Sequence, residues 1–199
     1  MQFLEKSKLG VLLMQLNVQY RLLVPVEYKG LTQFAPYSQV EYGVSQLYLD
    51  GNVTVSPKTV YLPQSEAMYK FSAQGKKLAI EEMPALEHMQ VLFGVRHCDT
   101  KAIACLDKVF LDEQFPDPQY KDKRDKTIVF ALACNNPKAT CFCESMGIDR
   151  AHADNSVADV QVYDLGDVYG FEAVSEKGKA CLDGLTGLNE GASRLPDQK

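Results

Sequence analysis

Several features are missing from the sequence, and their absence limits what the protein can be. No apolar run approaches the roughly 20 residues that a membrane span needs, and the N-terminus lacks the basic-then-apolar layout of a signal peptide. The net charge is −5 and no long Lys/Arg cluster occurs, so nucleic acid is not an expected partner. Walker, Gly-x-Gly-x-x-Gly, His-Glu-x-x-His and Gly-x-Ser-x-Gly motifs are all absent. We therefore expect a cytoplasmic protein that has no membrane span and no phosphate loop.

The length and composition predict one globular domain. The chain has 199 residues, of which 46% are apolar, and this is ample for a hydrophobic core. We predict a single α/β domain over residues 1–188 and a polar, frayed tail over residues 189–199.

A βαβ unit around residues 89–133 is the clearest local prediction. Met89–Val95 is a nearly continuous apolar run, typical of a strand that is covered on both faces. A helix capped by Asp99 or Thr100 is expected to run to about Leu111, and Thr127–Ala133 is the next apolar strand. Strand, helix and strand in this order predict a parallel pair within a central mixed sheet, and hence an α/β fold.

Other elements are predicted to flank this unit. The pattern indicates a helix over residues 3–17, an irregular segment over 36–66 and a solvated, charged segment over 117–126 that includes Asp117, Tyr120 and Arg124. It also indicates three hairpins and a late short helix; the hairpins pair residues 20–26 with 31–34, 68–72 with 77–80, and the two halves of 159–174, and the helix covers 176–187.

Four of the six cysteines are expected to meet at one edge of the sheet. Cys98 follows the first parallel strand and Cys134 follows the second, so both lie at carboxyl ends of neighbouring strands, where open α/β sheets bind ligands. Cys141 and Cys143 follow Cys134 within the same loop-like stretch. The other two cysteines, Cys105 and Cys181, are expected to be buried in the core.

The sequence leaves several interpretations of this cysteine group open. In a reducing compartment, metal ligation is favoured over disulfides, and both a structural zinc and a cubane iron–sulfur cluster accept four thiolates. Cys98 is expected just before a helix N-terminus, whose dipole favours the thiolate. Arg96 is predicted to neutralise a cluster or to hold an anionic ligand, with an ordinary salt bridge as the alternative. A catalytic role for Cys98 is not indicated by the preceding His97, because neighbours on an extended segment point apart.

The residues around these cysteines resemble a known family. Phe93-Gly94-Val95-Arg96-His97-Cys98-Asp99-Thr100 resembles a signature of the iron–sulfur beta subunits of cytoplasmic sulfhydrogenases and of the corresponding iron–sulfur subunits of anaerobic sulfite reductase. The chain departs from that family at His97, where proline is usual. Further stretches agree in collinear order over residues 18–180, namely Val24–Val26, Ser56–Lys58, Leu62–Glu66, Asp117–Tyr120 with Arg124, Cys134, Cys141–Gly147, Asp164–Asp167 and Ser175–Gly178.

The resemblance implies a non-catalytic electron-transfer subunit or domain of an anaerobic multisubunit oxidoreductase. Four cysteines match the family, namely Cys98, Cys134, Cys141 and Cys143, and from their number and placement we expect one [4Fe–4S] cluster on them. The partners would be other subunits of the complex and a ferredoxin-type domain, whose own cysteines are absent from this sequence. Two alternatives stay open. One is a structural or docking module with zinc or an empty cysteine site, which uses Tyr37, Tyr42 and Tyr48 for partner contacts. The other is a flavin (FAD) or nucleotide domain that uses the strand-end crevice and Arg96.

Overall fold

The computed structural model describes residues 1–75, 77–153 and 156–191. The strands are β1 Gln2–Glu5, β2 Arg21–Tyr28, β3 Leu31–Pro36, β4 Gln46–Leu47, β5 Tyr69–Gln74, β6 Lys77–Glu82, β7 Gln90–Arg96, β8 Thr127–Leu132, β9 Val160–Asp164, β10 Val168–Ala173 and β11 Asn189–Glu190. The helices are α1 Leu9–Gln19, α2 Ser38–Glu41, α3 His97–Phe110, α4 Pro118–Asp125 and α5 Glu176–Asp183. None of the helices in these ranges has the length and apolar character that crossing a membrane requires.

A mixed nine-stranded sheet forms the centre of the molecule. Its order is β11-β1-β10-β9-β8-β7-β2-β3, and β4 pairs with the second half of β2. The four strands β2, β7, β8 and β9 are parallel, whereas the outer strands pair antiparallel. The predicted α/β class with a mixed sheet is therefore confirmed, and so is the parallel pair β7–β8 on either side of α3.

Helices cover both faces of the sheet, because successive strand residues point to opposite sides. On one face, Leu12 and Leu16 of α1 pack with Val24, Phe93 and Phe130 of the strands, and α5 joins the same core. On the other face, α3 and α4 pack against a second core built on β2, β7 and β8. Every residue of β7 and of β8 is buried, as the apolar runs predicted.

A bulge at Gly94 changes which way β7 points just before it reaches the cysteine edge. The pairing register with β8 shifts between Phe93 and Val95, and Gly94 has a φ of +83°. Phe93 belongs to the α1 core, but Val95, two residues later, belongs to the α3 core. The bulge thus reverses the alternation of side chains and orients the end of β7.

At the N-terminal end, one sequence-based prediction was wrong. Residues 2–5 form strand β1 rather than the start of a helix, because Phe3 and Leu4 pair with Gly170 and Tyr169 of β10. At the other end, Asn189 pairs with Phe3 in β11, so the predicted tail is ordered at its start. Residues 192–199 of that tail lie outside the described residues.

The start and the outer face of α3 also differ from the prediction. The helix begins at His97 rather than after Asp99, whose carboxylate instead accepts a hydrogen bond from Ser56 Oγ at 2.8 Å. Its buried positions include Thr100, Ile103 and Ala104, so Val109 and Cys105 lie on the exposed side. The prediction that Cys105 is a core residue was therefore wrong, whereas Cys181 is buried as expected.

One side of the charged segment around α4 is a partly buried polar network rather than a solvated surface. Arg124 makes a bidentate ion pair with Asp107 of α3, with nitrogen–oxygen distances of 2.9 to 3.1 Å. The hydroxyl of Tyr120 donates to the same carboxylate at 2.6 Å, and Asp117 caps α4 by accepting from the Tyr120 amide. Tyr120 is 1% exposed. The prediction failed because Asp107 lies on another helix.

The segment over residues 36–66 is largely irregular, as predicted. It contains only α2, the short strand β4 and a 3₁₀ turn over Pro57–Val60 among its regular elements. Of the tyrosines considered for partner contacts, Tyr37 is buried in the core, while Tyr42 is 79% exposed. The predicted hairpin of β5 and β6 also forms, but it stands apart from the main sheet with all of its described residues exposed.

Candidate metal centre

Cys98, Cys134, Cys141 and Cys143 line one small cavity at the carboxyl edge of the parallel strands. Each of the four is only partly exposed. Cys98 lies two residues beyond the end of β7, and Cys134 lies two residues beyond the end of β8. The expectation that the two cysteine groups meet is therefore confirmed as a matter of position.

Cys98 is held by the first turn of α3. It is the second residue of the helix, not the residue before it as predicted. Burial raises the pKa of the Cys98 thiol to about 11, and the neighbouring Asp99 adds to this shift. The favourable effect of the helix N-terminus on the thiolate is thus outweighed by desolvation. Without a bound cation, Cys98 is a neutral thiol at neutral pH.

The loop that carries the other three cysteines is fixed by short-range backbone hydrogen bonds. The Cys134 amide donates to the carbonyl of Arg150 at 3.0 Å, which joins the two ends of the loop. The Lys138 amide donates to the Cys141 sulfur at 3.2 Å. The turn after Cys143 closes when the Ile148 amide donates to the Cys143 carbonyl at 2.9 Å, with Gly147 at a positive φ. These hydrogen bonds fix the conformation of the loop, whose three cysteines line the cavity.

Hydrogen bonds of His97 and Gln161 connect this loop to the sheet. The side-chain nitrogen Nε2 of Gln161 lies 3.0 Å from His97 Nε2, and its side-chain oxygen Oε1 accepts from the Ala153 amide at 2.9 Å. His97 Nδ1 lies 3.1 Å from the carbonyl of Asp149. Since Gln161 donates to Nε2, the proton of the neutral ring is on Nδ1, which donates to Asp149. Burial lowers the pKa of His97 to about 4, so the ring is neutral.

Arg96 lies under the same edge and is almost completely buried. Its guanidinium donates to the carbonyl of Ala133 at 2.7 Å and to the carbonyl of Leu49. Burial lowers the pKa of Arg96, and the nearby sulfurs of Cys134 and Cys98 act in the opposite direction. Arg96 thus places a positive charge next to two of the four cysteines, and its described bonds go to carbonyls rather than to a carboxylate. Its role in binding a cofactor or an anion stays a prediction.

Asn52 belongs to the site but was missed by the sequence analysis. Its side-chain amide donates to the Cys98 sulfur at 3.2 Å, and it lines the cavity with the cysteines. Asn52 lies in the segment predicted to be irregular, 46 residues before Cys98, and nothing in the sequence links the two. The one indirect indication was Ser56–Lys58, a stretch that resembles the family, because Ser56 donates a hydrogen bond to Asp99 beside Cys98.

The four cysteines line the cavity, but their sulfurs do not converge on one position. Within the ranges that the structure describes, no three His, Cys, Asp or Glu side chains are close enough together to ligate one metal ion. A tetrahedral zinc site holds its sulfurs about 2.3 Å from one ion, so the sulfurs must lie close to one another. A cluster of several irons spreads its thiolate ligands over separate metal atoms. Four cysteine thiols around one cavity are a donor set that both a zinc ion and a cubane cluster accept.

Fold and site together define an α/β domain with a cysteine-lined cavity at the carboxyl edge of its parallel strands. The chain is 30% identical over 162 aligned residues to sulfhydrogenase 2 subunit beta of Pyrococcus furiosus, and the match covers 78% of this chain. This match supports the resemblance to the sulfhydrogenase beta-subunit family over the aligned region. It spans 45% of the length of that relative. No protein-family model and no solved structure matches the chain significantly.

Proposed function

We propose that this chain is an electron-transfer subunit or domain of a multisubunit oxidoreductase of the hydrogenase type. In this proposal, Cys98, Cys134, Cys141 and Cys143 ligate one [4Fe–4S] cluster, and the chain itself catalyses no reaction. The observation that carries the proposal is the meeting of these four cysteines around one cavity. The relationship to a sulfhydrogenase beta subunit supports the class of complex.

The surroundings of the cavity suit a thiolate-ligated cluster. Such a cluster carries negative charge, which the buried guanidinium of Arg96 would offset. The amides of Asn52 and Lys138 donate to the sulfurs of Cys98 and Cys141, and hydrogen bonds to sulfur are one of the means by which proteins set cluster potentials. When bound, the cluster would supply one-electron chemistry. The residues of this chain would hold it, offset its charge and limit its contact with water.

The partners follow from the same proposal. Electrons would pass between this cluster and a ferredoxin-type domain or other subunits of the complex. The exposed side chain of Phe142 lies between Cys141 and Cys143, so part of the cysteine loop faces outward, where such a partner has access. The cytoplasmic location expected from the sequence stays a prediction.

Iron, sulfide and zinc content, with an optical spectrum, test the proposal on protein purified without oxygen. We expect about four irons and four sulfides per chain, which is the content of one cubane. Cys141→Ser removes one proposed ligand and should abolish the broad absorption near 400 nm that such clusters give. Cys105→Ser is the matched control, because Cys105 is exposed on α3 and does not line the cavity. It should retain the wild-type iron content.

The other outcomes either contradict the proposal or favour one of the alternative functions. Unchanged iron content in Cys141→Ser would remove the assignment of ligands. Stoichiometric zinc and no iron would favour the structural or docking module instead. A bound yellow chromophore without iron would favour the flavin alternative. No metal at all in anaerobically purified protein would overturn the proposed electron-transfer function.

A further inference from the structure

We propose that Asn52 sets the reduction potential of the cluster by donating a hydrogen bond to the Cys98 sulfur. This inference rests on the proposed function and extends it to a residue outside the cysteine motifs. Asn52 would act as a positioning and tuning residue through the ligand sulfur, without binding iron itself. Its contact with Cys98 Sγ is 3.2 Å, which is a normal distance for a nitrogen donor to sulfur.

The orientation of the Asn52 amide fits a thiolate partner. The nitrogen Nδ2 faces the sulfur, while Oδ1 is buried and has no hydrogen-bond partner among the residues that the structure describes. A thiolate ligand accepts hydrogen bonds and has no proton to donate, so only the NH₂ side of the amide can face it favourably. The Asn52 Nδ2 faces the Cys98 sulfur even though Oδ1 has no hydrogen-bond partner among the described residues. The contact with Cys98 therefore determines the orientation of the side chain.

The segment that carries Asn52 is anchored on both sides. After it, the amide of Thr54 donates to Thr32 Oγ1 of β3 at 2.7 Å, and the two threonine hydroxyls lie 2.9 Å apart. Before it, the Tyr48 amide donates to the carbonyl of Pro25 in β2 at 2.9 Å. Both anchors lie on the rigid sheet. The donor is therefore held in place before a cluster binds.

A contact with the cysteine loop adds a third restraint. The ammonium of Lys138 donates to the Asn52 carbonyl at 3.3 Å and lies 5.8 Å from the ring centroid of Tyr48. Gly51 leaves room for this approach, because a Cβ there would lie 3.0 Å from the Tyr48 hydroxyl and 3.1 Å from Lys138 Cε. The Asn52 segment and the cysteine loop thus contact each other, and both line the cavity.

The direction of the effect follows from charge. Reduction adds an electron to the cluster and makes its sulfurs better acceptors, so an N–H donor stabilises the reduced form more than the oxidised form. Removing the donor should lower the midpoint potential. We expect the ratio of oxidised to reduced cluster at a fixed potential to change by about threefold to tenfold, which is about 28–59 mV for one electron.

The test compares the midpoint potentials of wild type, Asn52→Leu and Thr59→Val, each purified without oxygen and assayed for iron. Leucine approximates the shape of asparagine without the N–H group. Thr59→Val is the matched control, because it removes an exposed hydroxyl that donates to the Ser56 carbonyl and not to a sulfur. We expect full iron content in all three, a lower potential in Asn52→Leu and the wild-type potential in Thr59→Val.

A second measurement on the wild type does not depend on the variants folding. Protein labelled with ¹⁵N in the side-chain amides of asparagine should show a ¹⁵N coupling in the pulsed EPR spectrum of the reduced cluster. Loss of the coupling in Asn52→Leu would assign it to Asn52. An unchanged potential in an iron-loaded Asn52→Leu, or no coupling in the loaded wild type, would overturn the role of Asn52 while leaving the cluster intact. Iron-free wild type would overturn the proposed function itself.

Discussion

The α-carbon of Gly178 faces the carbonyl oxygen of Asp159, and a Cβ at this position would lie only 2.0 Å from that oxygen. Helix α5 therefore packs directly on the backbone that leads into β9. Two hydrogen bonds keep it there: Ser175 Oγ donates to the Asp159 carboxylate at 2.6 Å and accepts from the Gly178 amide at 3.0 Å. The stretch Ser175–Gly178, which resembles the family, therefore holds α5 against the backbone at Asp159.

Gly178→Ala should consequently destabilise the protein. The added methyl group meets backbone, which cannot rotate away, so α5 must shift. Overpacking of this kind costs about 1–3 kcal/mol. We expect a corresponding loss in the free energy of unfolding, measured by urea titration. Gly10→Ala is the control, because a methyl group added at Gly10 of α1 would have no atom within 4 Å. It should be neutral or stabilise the protein by up to about 1 kcal/mol, and a similar change at both sites would contradict the close packing.

Arg124→Ala should destabilise the fold by about 3 kcal/mol, because it leaves the half-buried carboxylate of Asp107 without its cation. The comparison is Lys121→Ala, which removes an exposed ion pair with Asp125 on the same helix and should cost less than about 0.5 kcal/mol. Both variants are measured by urea titration. Equal losses would show that Arg124 is as solvated as the sequence suggested.

Gln161→Leu should loosen the loop that follows Cys143. The variant removes the acceptor of the Ala153 amide and the donor to His97, both of which are bonded in the interior. An unsatisfied buried polar group costs about 1–3 kcal/mol, and we expect a loss of that size. Gln19→Ala, whose side chain bonds the Gly184 carbonyl at the surface, serves as the control. Hydrogen exchange of the Ala153 amide should rise in Gln161→Leu, and an unchanged rate would contradict the role of Gln161.

The hairpin of β5 and β6 should contribute little to the stability of the isolated chain. Phe71 and Ile80 are paired across it, yet they are 76% and 64% exposed. Replacing both with serine should change the free energy of unfolding by less than about 0.5 kcal/mol per site. Phe93→Ala in β7 should instead cost about 3–5 kcal/mol. A large loss from the serine variants would mean that this face is covered in the isolated molecule.

The elements that were predicted correctly carry their information locally. The apolar runs of β7 and β8 specify buried parallel strands. The predicted hairpin of β2 and β3 also forms, and Lys29 and Gly30 at its turn both have positive φ values. The position of Cys98 and Cys134 at one edge follows from these strands. The remaining errors depend on distant partners. Strand β1 exists because of β10, about 165 residues away, and its short apolar sequence suits a helix equally well.

The same reason explains what was missed around the site. Tyr120 and Arg124 look like solvated residues until Asp107 of another helix is placed beside them. Asn52 looks like an ordinary loop residue until the fold brings it to Cys98. Pairings of single polar side chains across long separations leave no periodic pattern in the sequence. They appear only once the sheet order is known.

The placement of the four cysteines has a consequence for the order of assembly. None of them belongs to the two large cores: Cys98 is in the first turn of a helix, and the other three are in a loop. The sheet and its helices can therefore form without any metal. A cluster bound by these residues could be delivered to an already folded acceptor through the open side of the cysteine loop. Its insertion would then add stability by ligand binding rather than start the folding of the chain.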